Sequence, residues 1–188
     1  MSNDAALSIR HIAVATDFSP CSETAIEFAL VAAHQFAAVL HVLHVVRRSE
    51  FALVPDLMVS LEELAERDST DLINRLNAAH RLNDIEYHCW NATGEVSAVF
   101  EQLIHDHKID LLVLGTHGRS GIWRLVAGSI AQQILEEVSC PALTIGPLSR
   151  LGSDRTLKKV LFATDLSPKS AAAIPYVLTT ARSWRAEI

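Results

Sequence analysis

Asp110-Leu-Leu-Val-Leu-Gly115-Thr-His-Gly118-Arg-Ser-Gly121 is the stretch of this sequence that decides the fold. It begins as a short apolar run, which is typical of a strand buried on both faces of a parallel sheet. It passes directly into a glycine-rich segment that continues to Gly128-Ser129. Four of the seven glycines of the chain fall within this segment. Such a loop beside a buried strand predicts an anion site at the carboxyl end of that strand.

Each part of the glycine-rich segment has a use in binding phosphate. Gly115 lets the backbone turn sharply after the strand, and Gly118 offers a bare N–H group to an oxygen. Gly128-Ser129 opens the next helix, whose first N–H groups and dipole favour an anion. Arg119 is a nearby cation, and His117 either lines the phosphate site or faces solvent. The spacing fits neither the P-loop nor the dinucleotide fingerprint, so both are excluded.

Strands and helices alternate on both sides of this stretch. Short apolar runs predict strands at residues 10–17, 38–46, 85–91, 110–115 and 141–145. Helix starts are predicted at Ser19-Pro20, at Ser60 with a capping box to Glu63, at Thr93-Gly94 and at Ser129. This alternation predicts an open, mainly parallel five-stranded sheet with helices on both faces. Its ligand site should lie at the carboxyl ends of the strands, where Asp17 and Gly115 fall.

Composition narrows the class of protein. The chain has 188 residues and a net charge of -6, which disfavours nucleic-acid binding. It has no apolar run of about 18 residues and no signal-peptide pattern at its start, so we expect a cytoplasmic protein with no membrane span. Cys21, Cys89 and Cys140 are too scattered for a disulfide or zinc framework and are expected to be buried reduced thiols. We also expect no metal site, because His41 and His44 are three apart on a strand and face opposite sides.

The beginning of the sequence recurs near its end. His11-Ile-Ala-Val-Ala-Thr-Asp-Phe-Ser-Pro20 aligns with Lys159-Val-Leu-Phe-Ala-Thr-Asp-Leu-Ser-Pro168, and Ala-Thr-Asp-x-Ser-Pro is intact in both. The repeat predicts a nucleotide-binding domain at 1–147, a linker at 148–155 and an incomplete second copy at 156–188. One strand and one helix cannot bury a core alone. The second copy is therefore expected to belong to a longer tandem protein or to pack against another surface.

With these motifs the sequence resembles the ATP-binding members of the universal stress protein family. Their pattern G-x2-G-x9-G-[ST] falls here on Gly115, Gly118, Gly128 and Ser129. Three further features of the chain resemble the family, namely Thr16-Asp17-x-Ser19, Leu43-His44-Val45 and Cys140-Pro141.

The resemblance implies a fold like that of adenine-nucleotide α-hydrolases, with strand order 3-2-1-4-5. It also implies that ATP binds, with Mg²⁺, and that the adenine lies near Asp17 and the backbone of Val45. The implied nucleotide-binding residues are Thr16, Asp17, Val45, Leu114, Gly115, His117, Gly118, Arg119, Gly128, Ser129 and Ile130. Asp17 has an alternative role, because it could simply cap the first helix.

Three functions stay open at this point. The first is a regulatory or stress-response protein whose adenine nucleotide controls assembly or partners. The second is a slow ATPase or a phosphoryl- or nucleotidyl-transfer enzyme, although the glycine-rich segment has no acidic residue to support efficient turnover. The third is a dimerisation module with a vestigial site. In each case residues 142–146 should form an edge strand that can pair with another subunit or with the second repeat.

Overall fold

A five-stranded sheet organises residues Arg10–Arg150, which form one compact unit. The computed structural model describes residues 8–46, 55–79, 81–116, 129–152 and 154–188. The strands are β1 (His11–Ala15), β2 (Val39–Val46), β3 (Tyr87–Thr93), β4 (Leu111–Gly115) and β5 (Ala142–Ile145). They lie in the order β3-β2-β1-β4-β5, and all neighbouring strands are parallel. The predicted fold class and strand order are confirmed.

Helices follow the strands as the alternation predicts. They are α1 (Pro20–Phe36), α2 (Pro55–Ala78), α3 (Val96–His107) and α4 (Ser129–Glu137). The start of α1 is as predicted, because the Ser19 side chain accepts the Ser22 N–H and Pro20 takes the first helical position. Ile12, Ala13 and Val14 of the central strand are completely buried, so the core lies on both faces of β1.

The start of α2 differs from the prediction. The helix begins at Pro55, so Ser60 lies inside it and is not its N-cap. Proline is favoured in the first turn of a helix, where its missing N–H costs nothing. The buried stripe of this helix is Ala65, Ser69, Leu72 and Leu76, whereas Leu64 is 46% exposed. The serine–glutamate pattern therefore resembled a capping box by coincidence.

The third strand is also displaced from the prediction. Ile85 is buried, but it lies in the connection before the strand, where its N–H donates to Leu82 O. Pairing with β2 begins at Tyr87. Since β3 is an edge strand, Cys89 is exposed, and the expectation that all three cysteines are buried is wrong. Cys21 and Cys140 are half-buried, and all three thiols are free.

Of the described residues, 151–152 and 154–188, together with 8 and 9, form a separate unit. It contains α5 (Pro168–Ala171), α6 (Ile174–Trp184) and an isolated parallel bridge between Lys159 and Glu187. The two helices do not merge, because Pro175 lacks an N–H and its ring disfavours a continuous helix through this point.

Candidate functional site at the carboxyl edge of the sheet

The carboxyl ends of β1, β2 and β4 lie side by side. Ala15 pairs with Leu43 of β2, and Val14 pairs with Val113 of β4. Extending these registers by a residue or two places Thr16 and Asp17 between the end of β2 and Gly115. Parallel α/β sheets bind ligands at this edge, outside the carboxyl ends of the strands.

A tight turn holds Thr16 and Asp17 in place. The buried Thr16 hydroxyl accepts the Phe18 N–H at 3.0 Å and lies 3.3 Å from the Ser22 hydroxyl. The Asp17 carboxylate accepts the Ser19 N–H through Oδ1 at 3.0 Å. Ser19, and not Asp17, is the N-cap of α1. Thr16 therefore shapes the turn, and Asp17 is held at the rim, half-buried.

Two further side chains at this edge, those of His44 and Phe18, were not among the predicted nucleotide-binding residues. His44 Nδ1 donates to Thr16 O at 2.8 Å, which ties the end of β2 to the turn after β1. The Phe18 ring packs on His44 with ring centroids 4.7 Å apart, and Phe18 has a positive φ of 60°. A left-handed conformation is costly for a bulky residue, so the turn hydrogen bonds must hold it there. No local sequence signal marks such a residue.

Gly115 occupies the last position of β4 for a packing reason. A Cβ atom at Gly115 would lie 3.2 Å from the Cys21 carbonyl carbon, carbonyl oxygen and Sγ in the first turn of α1. Only glycine allows α1 to approach β4 this closely. Leu114 beside it is 2% exposed, so only its backbone could reach a ligand.

The remaining predicted residues divide into two groups. Val45 is half-buried in β2, Ser129 is the first residue of α4, and Ile130 in the same turn is 38% exposed. The structure thus brings the ends of β1, β2 and β4 together. His117, Gly118, Arg119 and Gly128, which the sequence assigns to the phosphates, lie outside the described residues.

The part of the chain that the structure describes holds neither a metal-binding cluster nor a membrane-spanning helix. Among these residues, no group of three or more His, Cys, Asp or Glu side chains is arranged to hold a metal ion. No helix in the described ranges is both long and apolar enough to cross a membrane.

The sequence model of the universal stress protein family matches residues 8–146. Universal stress protein A homolog 1 of Coxiella burnetii is 31% identical to this chain over 141 residues, which are 72% of this chain and 95% of the relative. Solved structures of the family share the fold at lower identity. A universal stress protein from Archaeoglobus fulgidus superposes with a TM-score of 0.75 and 17% identity, covering 97% of this chain and 66% of its own.

Two further solved structures of the family contain adenine nucleotides. One is a universal stress protein in complex with cAMP, with a TM-score of 0.55, 17% identity, and 74% of this chain and 98% of its own covered. The other is an Arabidopsis thaliana protein with AMP bound, with a TM-score of 0.50, 18% identity, and 78% and 98% covered. Since the family model spans most of the chain and the Coxiella relative matches over nearly its whole length, this chain belongs to the universal stress protein family.

Proposed function

We propose that this protein binds ATP, with Mg²⁺, at the carboxyl edge of β1, β2 and β4. The observation that carries the proposal is the convergence of Asp17, Val45 and Gly115 at that edge, directly before the glycine-rich segment that leads to α4. The cAMP and AMP complexes of two proteins with this fold support an adenine nucleotide as the ligand.

Asp17 and Val45 would hold the adenine in this proposal. The turn hydrogen bond from Ser19 N–H fixes the Asp17 carboxylate at the rim, so it can accept a hydrogen bond from the base without a large loss of side-chain entropy. The Phe18–His44 pair lies beside it and supports the turn from the β2 side. His44 and Phe18 are thus positioning residues for Asp17.

The phosphates would lie along Gly115, Gly118 and Gly128 and reach the first turn of α4. That turn contributes the N–H groups at Ser129 and Ile130 and the positive end of the helix dipole. Arg119 and His117 would add charge or hydrogen bonds. Mg²⁺ commonly binds through substrate phosphates and few protein carboxylates, which suits an edge whose predicted residues include only one carboxylate, Asp17.

We also propose that residues 156–188 repeat the start of the nucleotide-binding domain. The bridge between Lys159 and Glu187 corresponds to the pairing of His11 with Val39. Three hydrogen bonds of the turn recur at equivalent residues. The Phe18 N–H donates to Thr16 Oγ1 at 3.0 Å, as the Leu166 N–H does to Thr164 Oγ1 at 2.9 Å. The Ser19 N–H donates to Asp17 Oδ1 (3.0 Å) and the Ser22 N–H to Ser19 Oγ (3.3 Å), and their equivalents are Ser167 N–H to Asp165 Oδ1 (2.9 Å) and Ser170 N–H to Ser167 Oγ (3.2 Å). Leu166 even repeats the positive φ of Phe18, at 63°.

The repeated turn supplies a matched control for the nucleotide site. Asp17→Asn keeps an oxygen to accept the Ser19 N–H but removes the negative charge. Asp165→Asn makes the same change at the equivalent turn of residues 156–188, which contain no glycine. In calorimetric titrations with ATP and Mg²⁺, we expect Asp17→Asn to weaken binding by about tenfold, because one charge-assisted hydrogen bond is lost. We expect Asp165→Asn to leave the affinity unchanged. Equal effects of the two changes would overturn the assignment of Asp17.

A change in the glycine-rich segment tests the phosphate end of the site. Gly118→Val should abolish ATP binding, because a β-branched side chain at a phosphate-facing glycine blocks the approach. Gly146→Ala is the control, since a Cβ there would meet only Ser149 Oγ at 3.8 Å, an ordinary contact. If Gly118→Val binds ATP as the unaltered chain does, the phosphate-loop assignment is wrong. Phosphate release measured on the same samples tests the alternative of a slow ATPase.

A further inference from the structure

Four histidines and a tryptophan meet on one face of the sheet, away from the carboxyl edge. This histidine cluster consists of His41 at its centre, with His11, His88, Trp90 and His107 around it. The rings of His11, His88 and His107 lie with centroids 5.5, 5.3 and 5.2 Å from that of His41. The Trp90 indole is stacked parallel to His41 at 6.3 Å. The cluster joins the early residues of β1, β2 and β3 to the last turn of α3.

Hydrogen bonds fix the protonation state of His41. Trp90 Nε1–H donates to His41 Nδ1 at 3.3 Å, and an indole nitrogen can only donate. His41 Nδ1 must therefore carry no proton. The proton of the neutral ring is then on Nε2, which donates to His11 Nδ1 at 3.2 Å. A second proton on His41 would point an N–H at the Trp90 N–H and break this chain of hydrogen bonds.

The surroundings of His41 also oppose a positive charge. His41 is only 1% exposed, and burial together with the neighbouring His107, His88 and His11 lowers its pKa from 6.5 to about 4. The nearby carboxylates do little to stabilise a positive charge on His41. Glu86 lies 3.7 Å from His88 on the exposed side, and Asp110 is engaged with the backbone N–H groups of Arg10 and His11.

We propose that the histidine cluster is an acid-responsive latch that fastens the C-terminal end of α3 to the sheet. A proton taken from solvent onto His41 Nδ1 displaces the Trp90 hydrogen bond and places a cation among three other histidines. His107 and the last turn of α3 are then released from β2 and β3. The unfolded chain takes up this proton below pH 6.5 and the native state resists it to about pH 4, so stability is lost as pH falls through that window.

A variant without the titrating ring tests the latch. Trp123→Phe and Trp184→Phe leave Trp90 as the only one of the three tryptophans, so fluorescence reports on the cluster. In this background His41→Gln keeps an acceptor and a donor but cannot become charged, and His105→Gln changes an exposed histidine of the same helix. Between pH 6 and pH 5 we expect the unfolding equilibrium constant of the background and of His105→Gln to rise about sevenfold more than that of His41→Gln.

Direct observation of the rings tests the proposal even if His41→Gln does not fold. Two-bond ¹H–¹⁵N spectra of the unaltered chain should show His41 as the Nε2–H tautomer at pH 7, still neutral at pH 5. A proton on Nδ1, titration with the exposed histidines, or equal pH dependence of His41→Gln and its control would overturn the latch. A rise in melting temperature with Zn²⁺ that His41→Gln abolishes would also overturn it, since the cluster would then be a metal site.

Discussion

Two reasons for a glycine at position 115 cannot be separated from the sequence alone. Its place in the glycine motif predicts a ligand contact, whereas the structure shows a backbone-to-backbone contact with Cys21. Both roles require the absence of a Cβ. A loss of nucleotide binding on substitution of Gly115 would therefore say nothing about phosphate, because α1 and β4 would already have been pushed apart.

Substitution of Gly115 should consequently affect stability first. Gly115→Ala places a Cβ 3.2 Å from Cys21, which we expect to lower the free energy of unfolding by about 1–3 kcal/mol. Adding Cys21→Ala should recover only part of this loss, because two of the three crowded atoms belong to the Cys21 backbone. Urea denaturation of the single and double variants measures both effects. Full recovery of the free energy of unfolding would show that Cys21 Sγ alone sets the spacing between α1 and β4.

Single residues could be predicted from the sequence where the signal is local. Ser19 and Pro20 mark the start of α1, and Asp17 follows a buried strand, so both appear in the pattern of a few neighbouring residues. The histidine cluster has no such signal. His41, His88 and His107 come from three elements, and only the pairing of β2 with β3 and the packing of α3 bring them together.

At the scale of elements, the buried strands, the edge strand β5 and the start of α1 could be predicted from the sequence, whereas the starts of β3 and α2 could not. β1 and β4 each have three buried apolar residues at their centre, and the sequence predicts the bounds of both strands to within two residues. β3 is exposed at several positions, so its pattern was weak and its start was misplaced at Ile85. For α2, the serine–glutamate pattern at Ser60 predicts a start five residues after the observed one at Pro55.

The β5 edge is where we expect two copies to meet. β5 lies at the edge of the sheet, and Ala142, Leu143 and Thr144 are exposed in this unit. Leu143→Arg should therefore reduce self-association, because a buried unpaired cation in the interface is costly. Leu64→Arg, at a leucine 46% exposed on α2, is the matched control. Light scattering with and without ATP would show whether assembly depends on nucleotide, and a mass unaffected by Leu143→Arg would exclude this edge.

For the whole molecule, the sequence predicted the strand order only through its family resemblance, since alternation alone permits several orders. The proposed repeat beginning at Lys159 rests on an identity of residues, which needs no knowledge of packing. The break between α5 and α6 falls where Pro175 takes the position that aligns with Glu27 of the unbroken α1.

Removal of residues 151–188 should leave nucleotide binding unchanged, because Arg10–Arg150 form a unit of their own. It should also reduce the number of copies per particle in solution. Leu161 and Leu166 are 95% and 88% exposed, and burying them against a neighbouring copy would favour association. Light scattering and ATP calorimetry on the shortened chain measure both. An unchanged number of copies per particle would show that residues 151–188 take no part in association.

The central position of β1 has a consequence for synthesis on the ribosome. β1 emerges before the other strands of this sheet, yet one of its two neighbours, β4, emerges only after β2 and β3. The Asp110 carboxylate that accepts the His11 N–H follows that residue by 99 positions. Until then one side of β1 lacks its hydrogen-bonding partner, although β2 has already paired with the other. The nascent chain therefore carries an apolar strand that is open on one side while these 99 positions are added, the interval in which a holding chaperone would matter most.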